Sequence, residues 1–347
     1  MTNGAVSRGV GLAGRAGLAG RAGLAGRLTF GLLFVSLGPV GATASPVLST
    51  TAPAGGHAVD PAAFEPASCR TYAPTAGDRQ ESVFLDAGHG SIDPGSVGVT
   101  ESGQTVYEAT ETLAVELDTL ALLRADGFTV TVSRTGNSPV ARPQPGDISD
   151  GLYTIAGDLR DVASRDICAD MAKADILVGI YFDAGPSTIN AGSITGYDTD
   201  RPFSADNLRL ATLLQTDVLA ALNAQGWQIP NDGVVSDTLL GGPALSDAAA
   251  AYGHLLLLGP SDPGYFSTPS TMPGALIEPL FITDPYEGSL ATSALGQQVI
   301  AQGLTAAVEQ YFGPQKEQGH PEKKRSPSPR SADEKAGSGS VRKATKS

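Results

Sequence analysis

Val83-Phe84-Leu85-Asp86-Ala87-Gly88-His89-Gly90 begins as a short apolar run and ends in an imidazole between two glycines. So short and apolar a run is the pattern of a strand buried on both faces, delivering a loop at its carboxyl end. Gly88 and Gly90 let the backbone turn sharply there, which pushes His89 into the open. Working outward, Leu113, Leu117, Leu120 and Leu123 recur at helical spacing, and Asp126-Gly127 closes that helix before a strand over Phe128 to Ser133. Val162, Ile167 and Met171 mark a second helix, followed by a nearly all-apolar strand from Asp175 to Phe182. Leu208, Ala211, Leu214, Val218 and Leu222 form a third helical stripe. Two further apolar runs, His254 to Leu258 and Ala275 to Phe281, read as strands, and Leu295, Val299, Leu304 and Val308 as a last helix. Apolar strands alternating with helices predict an α/β fold, a mainly parallel sheet flanked by helices on both faces. In such sheets the chemistry sits at the carboxyl ends of the strands.

The chain has 347 residues, and its ends differ from its middle. Residues 1–59 hold four Arg and no acid, and residues 314–347 hold nine Lys or Arg against four acids. The middle, 60–313, carries ten basic and 32 acidic residues, a net −22. So acidic a body repels phosphate backbones, which argues against a nucleic-acid partner. With 41% hydrophobic residues the chain can still bury a proper core.

Gly11 to Arg27 is a basic GLAGRA repeat, followed by the apolar run Leu28 to Val40 and then Ala42-Thr43-Ala44. That order is expected of a secretory signal peptide over 1–44, and hence of a secreted protein of the cell wall or extracellular space. A membrane anchor is the alternative, but the run is interrupted by Gly and Pro and falls short of the roughly 20 residues that span a bilayer. Residues 45–78, rich in Ala, Pro, Thr and Gly, read as a linker that tightens near Cys69, and 79–313 as one domain. The basic tail 314–347 is too poor in apolar residues to order itself; it could touch anionic wall polymers. In an exported chain the two cysteines, Cys69 and Cys168, are expected to pair.

Of four histidines, His57 and His320 lie in the expected linker and tail, leaving His89 and His254. No Ser, His and Asp arrangement suggests nucleophilic catalysis. Arg134 and Arg165 could hold a substrate carboxylate or pair with structural acids, and Trp227 and Tyr197 read as packing. Glu278, after Gly-Ala-Leu-Ile and before Pro-Leu-Phe, is costly to bury without a role or a partner.

The segment Leu85 to Gly95, with Glu108 opening the next helix, resembles the zinc-dependent N-acetylmuramoyl-L-alanine amidases of the amidase-3 type. The resemblance continues through Ser133-Arg134, Arg165, Ala174-Asp175 and Ile277-Glu278-Pro279-Leu280-Phe281, and spans about 82–312. It implies a zinc hydrolase that cuts peptidoglycan between N-acetylmuramic acid and L-alanine. His89 matches the family's first ligand, Glu108 its carboxylate ligand and Glu278 its catalytic glutamate. In one place the sequence departs from the pattern: Tyr181 stands where the second His ligand belongs. A phenol must lose a proton of pKa near 10 to bind as an anion. Asp183, on the same side of the strand by alternation, is a plausible substitute. His254 is a poorer one, because at the start of a parallel strand it would lie more than about 13 Å from the carboxyl ends.

The leading reading is therefore an exported zinc amidase with His89, Glu108 and either Tyr181 or Asp183 on the metal and Glu278 as base. A catalytically impaired descendant that keeps the groove for wall binding is the alternative, and a different metal-dependent peptidase on the same scaffold is a third.

Overall fold

A computed structural model describes residues 52–240 and 246–313. The expected signal peptide over 1–44, the first part of the linker and the basic tail from 314 lie outside the described residues. In chain order the elements are β1 (His57–Ala58), β2 (Ser68–Tyr72), β3 (Ser82–Ala87), β4 (Val97–Val99), β5 (Thr105–Tyr107) and α1 (Glu108–Ala125). Next come β6 (Thr129–Arg134), β7 (Ile148–Ser149), β8 (Leu152–Tyr153), α2 (Ile155–Ala172), β9 (Ile176–Ile180), β10 (Ser193–Tyr197) and α3 (Ser204–Ala224). The chain continues through β11 (Asn231–Ser236), α4 (Asp247–Tyr252), β12 (Gly274–Glu278), α5 (Pro285–Ala291) and α6 (Ala294–Phe312). None of the described helices is long and apolar enough to cross a membrane.

Eight strands form one sheet in the order β1-β2-β6-β3-β9-β12-β10-β11. The central four, β6, β3, β9 and β12, are parallel. β2 joins β6 antiparallel on one side, and β10 joins β12 antiparallel on the other. β11 runs parallel to β10. The sheet therefore has two sets of carboxyl ends, pointing in opposite directions.

Strand alternation sorts the core into two layers. Val83, Leu85, Val130, Val132, Ile176, Val178, Ile180 and Ile277 belong to the cluster that packs under α1, α3 and α6. Phe84, Leu177 and Leu276 belong to a second cluster under α2, together with Cys168 and Ala169. The hydroxyl of Thr154 caps α2 by accepting from the Gly157 amide. α1 has no side-chain cap, and its first residue, Glu108, is turned toward the site described below.

Two expectations are corrected. Residues 45–78 are not a linker throughout: β2 pairs with β6, and Phe64 and Tyr72 are buried. Pairing on the open edge of β6 and a disulfide from Cys69 to Cys168, with Cα atoms 5.7 Å apart, draw this stretch into the fold. The run His254 to Leu258 is not a strand but a turn after α4. Its leucines divide between two apolar clusters, which an irregular segment can reach and a flat strand cannot. Its polar backbone is met by side chains instead of a ladder, with Asp237 accepting from the Leu255 amide and Arg201 donating to the Leu258 and Gly259 carbonyls. β10 and β11, rich in Gly, Ser and Asn, carry little apolar signal, and the sequence reading does not contain them.

Candidate active site

β3 delivers Gly88 and His89 at its carboxyl end, where the Gly88 amide still donates to Ile180 O at 3.0 Å. His89 then adopts φ +63°, a left-handed conformation that a non-glycine residue holds only when its surroundings enforce it. Two buried arginines do so. Arg165 donates to Ala87 O and His89 O, both at 2.8 Å, and Arg134 donates to Ala87 O at 3.1 Å and Gly88 O at 3.0 Å. Arg165 is neutralised by Asp86 at 2.6 Å and Asp161 at 2.9 Å. Both arginines are thus spent on structure, the blander of the two readings the sequence allowed.

The imidazole is held from both sides. Nδ1 lies 2.7 Å from Asp93 Oδ2, which turns Nε2 toward Glu108 Oε1 at 3.1 Å. Burial alone would lower the His89 pKa, but the charge of Glu108 and the hydrogen bonds to Asp93 and Glu108 raise it to about 10. Burial would raise Asp93, yet the contact with His89 leaves its carboxyl below the usual range. Glu108 accepts from the Phe182 amide at 2.9 Å through Oε1 and from the Ser96 amide at 2.8 Å through Oε2. A Cβ at Gly95, φ +66°, would stand 2.6 Å from the His89 ring and 2.7 Å from Glu108 Oε2, so only glycine lets these two side chains meet.

Tyr181, Asp183 and Glu278 come from the neighbouring parallel strands. Tyr181 follows β9 on the α2 side, where its hydroxyl donates to Asp86 Oδ2 at 3.1 Å. Burial, and then the charge of Asp86, hold this phenol well above its ordinary value. Asp183 continues the same path, bridged to Phe281. Its carboxyl is hydrogen-bonded to that of Glu278, the last residue of β12. Burial raises Asp183 to about 6. Glu278 stands well above the ordinary carboxyl range, by burial first and then by the charges of Asp183 and Glu108. His89, Glu108, Tyr181, Asp183 and Glu278 all line one cavity of about 420 Å³, open on the α2 side and walled by Tyr153, Asp158 and Leu255 to Leu257.

The structure thus gathers His89, Glu108, Tyr181, Asp183 and Glu278 in one cavity and leaves His254, the poorer substitute, elsewhere. It adds Asp86 and Asp93, which the sequence reading passed over; Asp93, four residues after His89 in a glycine-rich loop, was the legible one of the two. Chemically the cavity sets one imidazole among the carboxyls of Asp93, Glu108, Asp183 and Glu278, with Asp158, Asp161 and Asp247 also in its lining. Two of these donors, His89 Nε2 and Glu108 Oε1, stand 3.1 Å apart, close to the ~3.3 Å edge of a tetrahedral zinc site, and a third would have to turn toward them to complete it. Asp183 is a further oxygen donor within the cavity, although its carboxyl is turned to Glu278.

An α/β sheet that gathers a histidine and several acids in a cavity at the carboxyl ends of its central strands has the architecture of an enzyme domain. A sequence profile of the N-acetylmuramoyl-L-alanine amidase family matches residues 83–310, and the chain belongs to that family. A curated relative, the N-acetylmuramoyl-L-alanine amidase LytC of Bacillus subtilis (strain 168), is 25% identical over 232 residues, 67% of this chain and 36% of that protein. The chain thus matches little more than a third of its relative's length. Among solved structures, the CwlD amidase of Clostridioides difficile, in complex with the GerS lipoprotein, superposes with a TM-score of 0.50 at 21% identity, covering 67% of this chain and 98% of that one. That likeness bears on the fold alone. The catalytic domain of CwlV from Bacillus (Paenibacillus) polymyxa var. colistinus superposes at 0.47 with 20% identity, over 67% of this chain and 98% of that one.

Proposed function

We propose that this chain is an exported, zinc-dependent amidase that hydrolyses the bond between N-acetylmuramic acid and L-alanine in peptidoglycan. The observation that carries the reading is the facing of His89 Nε2 and Glu108 Oε1 across from the Asp183–Glu278 carboxyl pair in one cavity. His89, Glu108 and Asp183 would hold the ion, Asp183 turning from Glu278 as the proton between them leaves. Tyr181 stays out of the ligand set, because its proton is engaged by Asp86 and burial opposes the phenolate. Zinc, when bound, supplies Lewis acidity that polarises the scissile carbonyl and lowers the pKa of a water toward about 7.

The remaining work falls to the chain's own groups. Glu278, freed of the shared proton, takes one from the attacking water and returns it to the nitrogen of L-alanine as the C–N bond breaks. Water's oxygen ends on the lactyl carboxylate, and the stem peptide leaves as an amine. Asp93 fixes the imidazole's orientation through Nδ1, and the two arginines fix its backbone. The basic tail would bring the acidic domain to anionic wall polymers.

The test is release of L-alanine amino termini from purified peptidoglycan, with metal content measured beside it. Activity lost to a chelator and restored by zinc supports the reading; full activity in the metal-free chain rules zinc out. The phenol of Tyr181, standing where the family places an imidazole, favours a second reading, a wall-binding relic. That reading is the correct one if wall fragments bind while neither zinc uptake nor hydrolysis is found.

A further inference from the structure

β10 and β11 run against the central strands, so their carboxyl ends lie at the opposite end of the sheet from Glu278, which pairs with Ile194. Four residues of strand separate Ile194 from Asp198, roughly 13 Å. Tyr197 pairs with Ser236, so the next residues, Asp198 and Asp237, leave adjacent strands in register and side by side. His254, just past α4, closes over both.

All three side chains converge. Nδ1 of His254 lies 2.9 Å from Asp198 Oδ2 and 3.2 Å from Asp237 Oδ2. Among the described residues this is the one trio of His, Cys, Asp or Glu whose ligand atoms all lie within 4.8 Å of one another. Both aspartates are fully buried. Their hydrogen bonds are few: the two carboxyls face each other at hydrogen-bond range, Asp198 Oδ1 accepts from the Asp200 amide at 2.7 Å and Asp237 Oδ2 from the Leu255 amide at 3.1 Å. Asp198 Oδ2 and Asp237 Oδ1 accept none, although each is shut away from water. One Nδ1–H cannot serve two carboxylates, and among the described residues neither aspartate has an ion pair with Lys or Arg. The nearby Arg201 spends its guanidinium on the carbonyls of Leu258, Gly259 and Ser270. Two buried anions beside a single imidazole are destabilising unless a shared proton or a cation joins them, and a cation would also engage the imidazole that lies against both.

We propose that Asp198, Asp237 and His254 form a second metal site, a structural one that takes a divalent transition ion, with zinc the best match. Two carboxylates and a neutral imidazole bring the ion to zero net charge, and the two Nδ1–O separations, 2.9 and 3.2 Å, fall just inside the ~3.3 Å edge of tetrahedral zinc coordination. Nε2 then keeps its proton and faces Asp200, 4.0 Å away at the surface, the carboxylate–histidine–metal arrangement that orients a ligand. The site ties His254 to the ends of β10 and β11. Leu255, Leu256 and Leu257, the residues that follow it, wall the cavity containing His89. Metal here would therefore hold that wall in place from the far side of the sheet.

The experiment separates this site from the His89 site by mutating each. Full-length chain is stripped with chelator, dialysed against zinc, and its bound metal counted, for the wild type and for H89A, D237N, H254Q and H89A/D237N. Expected are one zinc retained by H89A, none by H89A/D237N, and a zinc-dependent rise in Tm that H89A keeps and H89A/D237N loses. Cobalt added to H89A should give visible ligand-field bands that are missing when H254Q is combined with it, a readout independent of whether one variant folds poorly. H89A without zinc or cobalt bands overturns the proposal, as does undiminished zinc uptake by H89A/D237N. So does a metal-free D237N that melts higher than a wild type indifferent to zinc, the behaviour of a pair sharing a proton. If the wild type binds one zinc, lost in D237N but kept in H89A, this site stands and the zinc assigned to His89 fails.

Discussion

The two faces of the sheet are stabilised differently. Under α1, α3 and α6 the strands bury a continuous apolar layer, and the acids that intrude on it, Glu111 and Glu116, make no ion pair among the described residues. Burial raises them to about 7 and about 8. Under α2 the apolar layer is thinner and a disulfide crosses it; two of its acids, Asp86 and Asp161, bind Arg165, while a third, Asp166, is fully buried and raised well above the ordinary range by burial. The cavity opens on this second face. The lesson is that a face with room for a polar cavity gives up apolar burial and recovers stability from a covalent link and a buried cation, whereas on the face without one burial pushes the carboxyls up.

The largest expected effect tests whether catalysis belongs to the α2 face. Glu278→Gln keeps the side chain's size and can still hydrogen-bond Asp183, but it cannot accept water's proton. Hydrolysis of peptidoglycan should fall about a thousandfold while zinc content and Tm change little. An undiminished rate would remove Glu278 from the chemistry and leave the cavity as a binding groove.

Much of this face was legible in the sequence, and for a definite reason. Strands β3, β6, β9 and β12 are buried on both sides, so their signal is a run of apolar residues. The site residues sit just past those runs, as His89 does after Val83 to Ala87 and Glu278 after Ala275 to Ile277. The far end was not legible. Ser193 to Tyr197 and Asn231 to Ser236 lie toward the sheet edge, where strands need fewer apolar side chains, and nothing in the chain's order joins Asp198, Asp237 and His254. β2 was hidden likewise among Ala, Pro and Thr, although Cys69 marked it. Position along the chain also placed His254 wrongly, because an apolar run of four leucines served a turn between two clusters and not a strand.

The disulfide is the next lever. Replacing both Cys69 and Cys168 with Ser should cost roughly 2–5 kcal/mol in urea unfolding, since the link closes a 99-residue separation. The loss should show first as protease sensitivity of residues 52–72, which reach the sheet through this link and the edge of β6. Unchanged stability would mean that the α2 face does not depend on its staple, and the contrast between the faces would narrow.

Tyr181 sharpens the comparison inside the site. Tyr181→Phe removes the hydroxyl that Asp86 accepts and should cost about 1–3 kcal/mol, with zinc content unchanged. Asp183→Asn should leave stability near the wild type and weaken zinc binding more than tenfold. Tyr181→His, which restores the family's imidazole, should tighten zinc and shift the activity profile to lower pH if the ring reaches the ion. Zinc lost from Tyr181→Phe but kept by Asp183→Asn would reverse the assignment of the third ligand.

The smallest effect belongs to the apolar face and appears as a pH slope. Glu111 and Glu116 have folded pKa values of about 7 and about 8, above the 4.5 of an exposed glutamate, because burial penalises their charged forms. The folded state therefore binds these protons more tightly than the unfolded state. Their contribution is fully present below 4.5 and is lost as pH rises through 7 and 8, at no more than about 1.4 kcal/mol per pH unit for each group. Glu116→Gln should thus unfold in urea with a shallower decline between pH 6 and pH 8 than the wild type, its amide still able to accept from the Ala87 amide. Equal slopes in the two proteins would mean that Glu116 is ionised in the fold, and that the α1 face, like the other, holds charge in its interior.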